Sequence, residues 1–185
     1  MYFDSPGPGD TGETIKIAVR EAIERQVTHI VAASNTGATV FSLAEEAQKQ
    51  GYKGKLICVT HVYGFKENGE NEMADEDREK LERQGIKVHT AAHVLSGAER
   101  SLSRKFQGVY PVEMIAHTLR MFGQGTKVCV EIAVMALDAG LVPQGKPVIA
   151  LGGTARGADT AIILTPDYSS VLLDTKIHEI LCKPR

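Results

Sequence analysis

Residues 29–40 read HIVAASNTGATV. His29 to Ser34 is a short apolar run of strand length. Ser34-Asn35-Thr36-Gly37-Ala38-Thr39 is small and polar, and Val40, Leu43, Ala44 and Ala47 then recur on one helical face. A buried strand that feeds a helix through a glycine-bearing turn is the opening of a βαβ unit. The same grammar repeats outward in both directions. Upstream, Ile15, Ala18, Val19, Ala22 and Ile23 form one apolar helix face, with Asp10 and Glu13 at capping-box spacing. Downstream, Gly51 and Gly54 bracket the turn into a second strand, Lys55 to His61, and a third strand, Ile86 to Ala92, follows Gly85. Between them the stretch 66–82 carries eight acids against three bases, so it is predicted as loop and exposed helix.

Residues 93–146 contain no convincing strand. Helices are predicted over Ser96–Phe106, from Pro111 onward with Val112, Ile115, Ala116 and Leu119 inward, and over Thr126–Ala139, which is apolar on almost every side. A fourth strand, Pro147 to Gly152, and a fifth, Thr160 to Thr165, are separated by Gly153-Thr-Ala-Arg-Gly-Ala-Asp159. That gap is too short for a parallel crossover, so the fifth strand is expected antiparallel. The tail from Ser169 suits either a strand or a short helix. The expectation is one α/β domain over residues 1–185. It is a three-layer αβα sandwich on a mostly parallel five-stranded sheet, order 3-2-1-4-5. Strands one and four then diverge at their carboxyl ends, where open α/β sheets take ligands.

The composition limits the function. Of 185 residues, 43% are hydrophobic and 24% charged, which disfavours disorder and coiled coil. Twenty-one basic against 23 acidic residues give a net charge of −2, which argues against a general nucleic-acid surface or an anionic-membrane surface. No apolar run approaches the roughly 18 residues of a membrane span, and Met1 to Asp10 has no signal-peptide pattern. Cys58, Cys129 and Cys182, odd in number and in apolar contexts, read as reduced thiols of a cytoplasmic protein. The apolar helix 126–139 must be buried either under the sheet or against a second subunit, and a homo-oligomer is expected.

Two polar turns converge on the expected crevice. The turn of Ser34, Asn35, Thr36, Gly37, Ala38 and Thr39 offers free N–H groups, hydroxyls and the positive end of a helix dipole, which suits a phosphate; otherwise it is an ordinary capped turn. It is neither a P-loop nor a Rossmann fingerprint. In the second turn, Gly152, Gly153, Thr154, Asp159 and Thr160 either contact a ligand, with Arg156 available to an anion, or form a plain hairpin connection. Glu131, among apolar neighbours, is either a ligand or proton-transfer group, or else a single solvent-facing position or half of a structural ion pair; Lys127 reads as an ordinary surface residue. Thr60 and His61 end the second strand beside the crevice, and Tyr63-Gly64-Phe65 follows as a wall for a flat ring or as loop packing. Arg100 and Arg104 share a helix face and, with Ser96, Ser101 and Ser103, form either an anion patch or a solvated face or subunit contact. His61, His89 and His93 match no metal motif, so no metal is expected, and no nucleophile elbow or catalytic triad can be assembled.

The strand and turn Ile30–Gly37 resemble the C-terminal domain of pyruvate kinase, where a similar turn binds a sugar-phosphate effector in some members. The segments Thr60–Phe65, Leu95–Phe106, Met121–Gly125 and Leu151–Thr160 make nearly the whole chain resemble small stand-alone proteins of that fold. The resemblance implies flavin mononucleotide (FMN) as ligand. Ser34, Asn35, Thr36, Gly37, Ala38 and Thr39 would hold its phosphate, and Thr60, His61, Gly152, Gly153 and Thr154 would line the ribityl chain and ring, with Asp159, Thr160 and Glu131 close by. It does not imply pyruvate kinase catalysis, whose active site lies on a separate barrel domain. The expected function is binding of a phosphorylated flat cofactor, with flavin-dependent redox chemistry one reading. The alternatives are a phosphometabolite sensor, or a phosphosugar isomerase or hydrolase using Glu131 or His61 as base.

Overall fold

A computed structural model describes every residue from Met1 to Arg185. The elements run β1 (Tyr2–Phe3), α1 (Thr11–Glu24), β2 (His29–Ala33), α2 (Ala38–Gln50), β3 (Lys55–Thr60), α3 (Asp75–Arg83), β4 (Lys87–Thr90), α4 (Gly97–Phe106), α5 (Pro111–Arg120), α6 (Gln124–Asp138), β5 (Val148–Gly152), β6 (Thr160–Thr165) and β7 (Lys176–Pro184). Short 3-10 turns precede α1 and β7. The sheet order is β1-β7-β6-β5-β2-β3-β4. Its centre is the predicted arrangement: β4, β3, β2 and β5 run parallel, and β6 is antiparallel to β5.

The sheet has seven strands rather than the five expected. The ambiguous tail is both things at once: Ser169–Asp174 is a 3-10 turn and Lys176–Pro184 is a strand antiparallel to β6. Two register shifts between β6 and β7 break the two-residue alternation that marks a strand. The seventh strand, β1, is only two residues long and lies parallel to β7. Asp10 does precede α1, but its side chain makes no capping hydrogen bond.

Strand side chains alternate faces, and that divides the core in two. Ile30 and Ala32 of β2, Cys58 of β3, Ile149 and Leu151 of β5 and Ile163 of β6 pack with α1 and α2. Val31, Ile57, Val59, Val148, Ala150, Ile162 and Leu164 point the other way and pack with α6. The chain therefore forms the expected three layers. Nearly every position of α6 from Gly125 to Leu137 is buried, beneath the sheet and against α5. The helix is covered within the chain, and its apolar character needs no second subunit.

Two glycines set how closely α6 approaches the sheet. A Cβ on Gly152 would lie 2.7 Å from the Gly125 carbonyl and 2.9 Å from Val128 Cβ. A Cβ on Gly125 would lie 2.1 Å from Thr160 Oγ1. The start of α6 thus sits directly against the carboxyl end of β5, which positions its first two turns beside the crevice.

Candidate functional site

A cavity of about 610 Å³ opens where β2 and β5 diverge, at the carboxyl ends of β2 and β3. Ser34, Asn35, Thr36, Ala38 and Thr39 line it. The Ser34 N–H donates to the Val59 carbonyl at 3.0 Å, which ties the turn to β3. Gly37, the residue before α2, takes φ 89°, in the left-handed region that favours glycine. It does not line the cavity, because a Cβ there would point at Phe41, 3.1 Å away. Its part is to bend the backbone, not to open space in the cavity. After Ser34, the next N–H to donate within the protein is that of Phe41, to the Gly37 carbonyl; the N–H groups of Asn35 to Val40 have no protein acceptor. Ser34 and Thr39 are 6% and 7% exposed, and their hydroxyls make no hydrogen bond within the protein and stay open to solvent. Free donors at a helix N-terminus, with unpaired hydroxyls beside them, are groups that an anion can satisfy.

The second turn divides. Gly153, Ala155, Arg156 and Gly157 line the cavity, whereas Gly152, Thr154, Asp159 and Thr160 do not. Gly152 is consumed by the contact with α6. Asp159 is fully buried, and its carboxylate accepts from the Gly7 N–H (3.0 Å), the Thr154 N–H (3.1 Å) and the Thr160 hydroxyl (2.7 Å). It is a knot that holds the turn to the N-terminal segment. The Thr11 hydroxyl adds a second tie by accepting the Ala158 N–H at 3.0 Å.

Thr60 and His61 both line the cavity. The Thr60 hydroxyl is engaged with the His61 carbonyl and the Thr90 hydroxyl. His61 Nδ1 lies 2.6 Å from Glu72 Oε2, which fixes the ring and leaves Nε2 unengaged. Phe65 lies 3.8 Å from the His61 ring between centroids, and His93 lies 5.2 Å from it. The three rings form an aromatic wall. Burial lowers the His93 pKa, opposed by nearby Glu131, so this ring favours its neutral form.

The opposite wall comes from α4, α5 and α6. Lys127 and Glu131, each 5% exposed, form a buried ion pair one helical turn apart. Lys127 is therefore not the surface residue expected from sequence. α6 is buried all round, so a position off its apolar stripe still faces inward. Glu131 Oε1 also accepts the Leu95 N–H at 3.0 Å. Burial pushes the Lys127 ammonium pKa down, and Glu131 opposes this. Arg100 and Arg120 line the same wall, with Gln124 Oε1 accepting the Arg120 Nε–H at 2.8 Å. Arg104, predicted to share a patch with Arg100, is exposed and outside the cavity. Ser96, expected in a patch with Arg100, does line the wall, whereas Arg120, Gln124, Glu72 and Lys127 are wall residues that the sequence did not point to. Only the Lys127–Glu131 spacing of four carried a usable signal.

The cavity size falls within the roughly 300–1,000 Å³ of small-molecule sites. It combines an anion cradle, an aromatic wall and a cationic wall. No cluster of side chains suitable for a metal ion is present, and no helix is long and apolar enough to cross a membrane.

Residues 13–164 match the family model described as the pyruvate kinase alpha/beta domain. Among solved structures, the chain is similar to a pyruvate kinase from Cryptosporidium parvum, at 17% identity and TM-score 0.38 over 80% of this chain and 22% of that one. For the Cryptosporidium parvum pyruvate kinase in complex with ADP the values are 16%, 0.40, 94% and 24%. A methyltransferase from Podospora anserina with bound SAH gives 12%, 0.30, 80% and 63%. The chain spans less than a quarter of the length of the pyruvate kinases it matches.

Proposed function

The chain belongs to the pyruvate kinase alpha/beta domain family, and on that premise we propose that it binds a phosphorylated flat ligand, FMN, in the cavity between β2 and β5. The observation that carries the reading is the turn 34–40. Consecutive N–H groups from Asn35 to Val40 have no protein acceptor, and the Ser34 and Thr39 hydroxyls beside them have no protein partner. A phosphate satisfies such donors, and the dipole of α2 favours its charge. Arg156 on the neighbouring turn adds a cation. The aromatic wall of His61, Phe65 and His93 suits a planar ring system, which stacks on such faces. Bound flavin supplies hydride and single-electron chemistry, and the protein supplies binding, orientation and electrostatics. His61, held by Glu72, offers one free ring nitrogen to a bound molecule.

The test is direct. Protein purified without added flavin is examined for visible absorbance, and any released small molecule is identified by mass. Ligand-free protein is then titrated with FMN and with riboflavin, which lacks the phosphate. FMN is expected to bind more tightly. Thr39→Val and Ser34→Ala each weaken FMN by about tenfold or more, the worth of a hydrogen bond to a charged group. Neither lowers the stability of the ligand-free protein, because neither hydroxyl has a protein partner. Equal affinity for the two flavins, or FMN binding indifferent to both substitutions, refutes the reading. Stabilisation by sugar phosphates but not by FMN favours a phosphometabolite sensor instead.

A further inference from the structure

Helix α4 is the one α-helix of the chain with no buried residue, and α5 buries Ala116 alone. A helix of ten residues is marginal in water without a packed face. The hold of α4 on α5 is polar. Glu99 accepts the Val112 and Glu113 N–H groups at 3.2 and 2.9 Å, and the Ser103 hydroxyl donates to Glu113 at 2.7 Å. Apolar side chains face outward instead. Leu102, Phe106, Val109, Met114, Met121 and Phe122 are between 46% and 82% exposed. Leu102 and Phe106 share a face of α4, and Met114 and Met121 share one along α5 and its cap. Single exposed apolar residues need no explanation, but six between positions 102 and 122 mark a contact surface. The turn that joins the helices is strained. Gln107 takes φ 61° and ψ 177°, a region used almost only by glycine, and such strain clusters where a protein functions. Phe106 and Val109 stand on either side of it.

The exposed charge of this face has one sign. From Gly97 to Phe122 the exposed ionisable residues are Arg104, Lys105 and His117, while the two acids, Glu99 and Glu113, are half-buried and engaged as above. Neither Arg104 nor Lys105 has an ion-pair partner. The acid-rich stretch 66–82 lies across the sheet. Met73 and Leu81 fasten it to the core of α1 and α2, whereas Leu119 of α5 packs with the core of α6. The net charge of −2 is therefore an average over a polarised molecule.

Three kinds of partner could cover such a face. Two-fold packing on a second copy buries the apolar residues but sets Arg104 and Lys105 against a surface with no exposed acid, and like charges in apposition are costly. An apolar peptide docks in a groove, yet none of the six side chains lines the cavity at the strand ends or the smaller one beside His89. An anionic bilayer matches both features, because its acyl boundary takes apolar side chains and its headgroups take cations. We propose that the α4–α5 face docks peripherally on an anionic lipid surface. Phe106, Val109 and their apolar neighbours enter the headgroup boundary, and Arg104 and Lys105 meet lipid phosphates. No helix crosses the bilayer.

The test is co-sedimentation of the full chain with two kinds of vesicle, phosphatidylcholine alone and phosphatidylcholine with one part in three of phosphatidylglycerol. The protein partitions onto the anionic vesicles about tenfold or more strongly. Salt at about 1 M, where the screening length is roughly 3 Å, removes most of that difference. Phe106→Ser and Val109→Ser each weaken the partition about tenfold. Arg104→Gln with Lys105→Gln makes the two vesicle types equal. All four side chains are exposed, so these variants keep the parent's urea midpoint. Ile23→Ser, which removes an exposed apolar side chain from α1 on the opposite layer, leaves the partition unchanged. No binding to anionic vesicles, equal binding of the parent to both kinds, or binding that survives both serine substitutions on this face overturns the proposal. Sedimentation equilibrium supplies the remaining arm. A parent that self-associates, with Phe106→Ser monomeric, assigns the face to a second copy and overturns the lipid partner.

Discussion

Replacing Asp159 by alanine tests whether its carboxylate is a knot or a ligand contact. Three donors converge on it: the Gly7 N–H, the Thr154 N–H and the Thr160 hydroxyl. Truncation leaves each without its acceptor, at about 1–3 kcal/mol per buried donor. Thr154 is half exposed and recovers part of its loss from water, so the total is about 3–5 kcal/mol. For a domain of this size that lowers the melting temperature by roughly 10 °C. Asp159→Asn keeps the shape and one acceptor oxygen but turns a donor towards a donor, and costs about half as much. The assay is urea unfolding of ligand-free protein followed by far-ultraviolet circular dichroism, with hydrogen exchange at Gly7 and Thr154 as the local readout. Ligand-free Asp159→Ala within about 1 kcal/mol of the parent, with both amides still protected, refutes the structural role and returns Asp159 to the ligand.

Gly125→Ala forces a methyl group to within 2.1 Å of Thr160 Oγ1. It is expected to cost about 1–3 kcal/mol by overpacking, and an unchanged urea midpoint counts against the close α6–β6 contact. Burial lowers the pKa of His29, His89 and His93 below the ordinary 6.5. The unfolded chain then binds more protons than the folded one between those lowered values and 6.5, so stability falls as pH drops through that window. Urea midpoints at pH 7 and pH 5 measure the fall, and His93→Gln should make it smaller; an identical fall in parent and variant removes His93 from the account. Burial pushes the Cys58 thiol up to about 12, and all three cysteines are free and buried. Ellman's reagent at pH 8 should find no reactive thiol until urea is added, and rapid native labelling at Cys58 would show that its cover opens.

The centre of the sheet was legible because its strands are short, apolar and separated by helices, and because seven residues cannot carry a parallel crossover between β5 and β6. Its margin was not. β7 pairs through two register shifts, so Ile177, Ile180, Leu181 and Cys182 follow no clean alternation, and β1 is too short to carry any period. The turn 34–39 could be identified because a buried strand, a glycine and a helix start all pointed to one place. The second turn could not be sorted into wall and scaffold. A sequence gives Gly153 and Gly152, or Arg156 and Asp159, the same local appearance, and only the packing of α6 and the Gly7 segment tells them apart. Lys127 was misjudged because helical periodicity identifies a stripe, whereas α6 has no outer face over most of its length.

The pairing of β1 with β7 joins residues about 180 positions apart, Tyr2 with Lys183 and Phe3 with Pro184. Such long-separation contacts carry the largest closure entropy and form late. Gly7 and Thr11, which fasten the 153–159 turn, follow directly on β1. The segment from Tyr2 to Thr11 therefore cannot be pinned by strand pairing until Lys176–Pro184 is in place. The lip of the cavity that Gly7 and Thr11 fasten is thus tied to a strand pair that closes late, and a chain truncated before Lys176 would hold most of the sheet yet leave that lip unsecured.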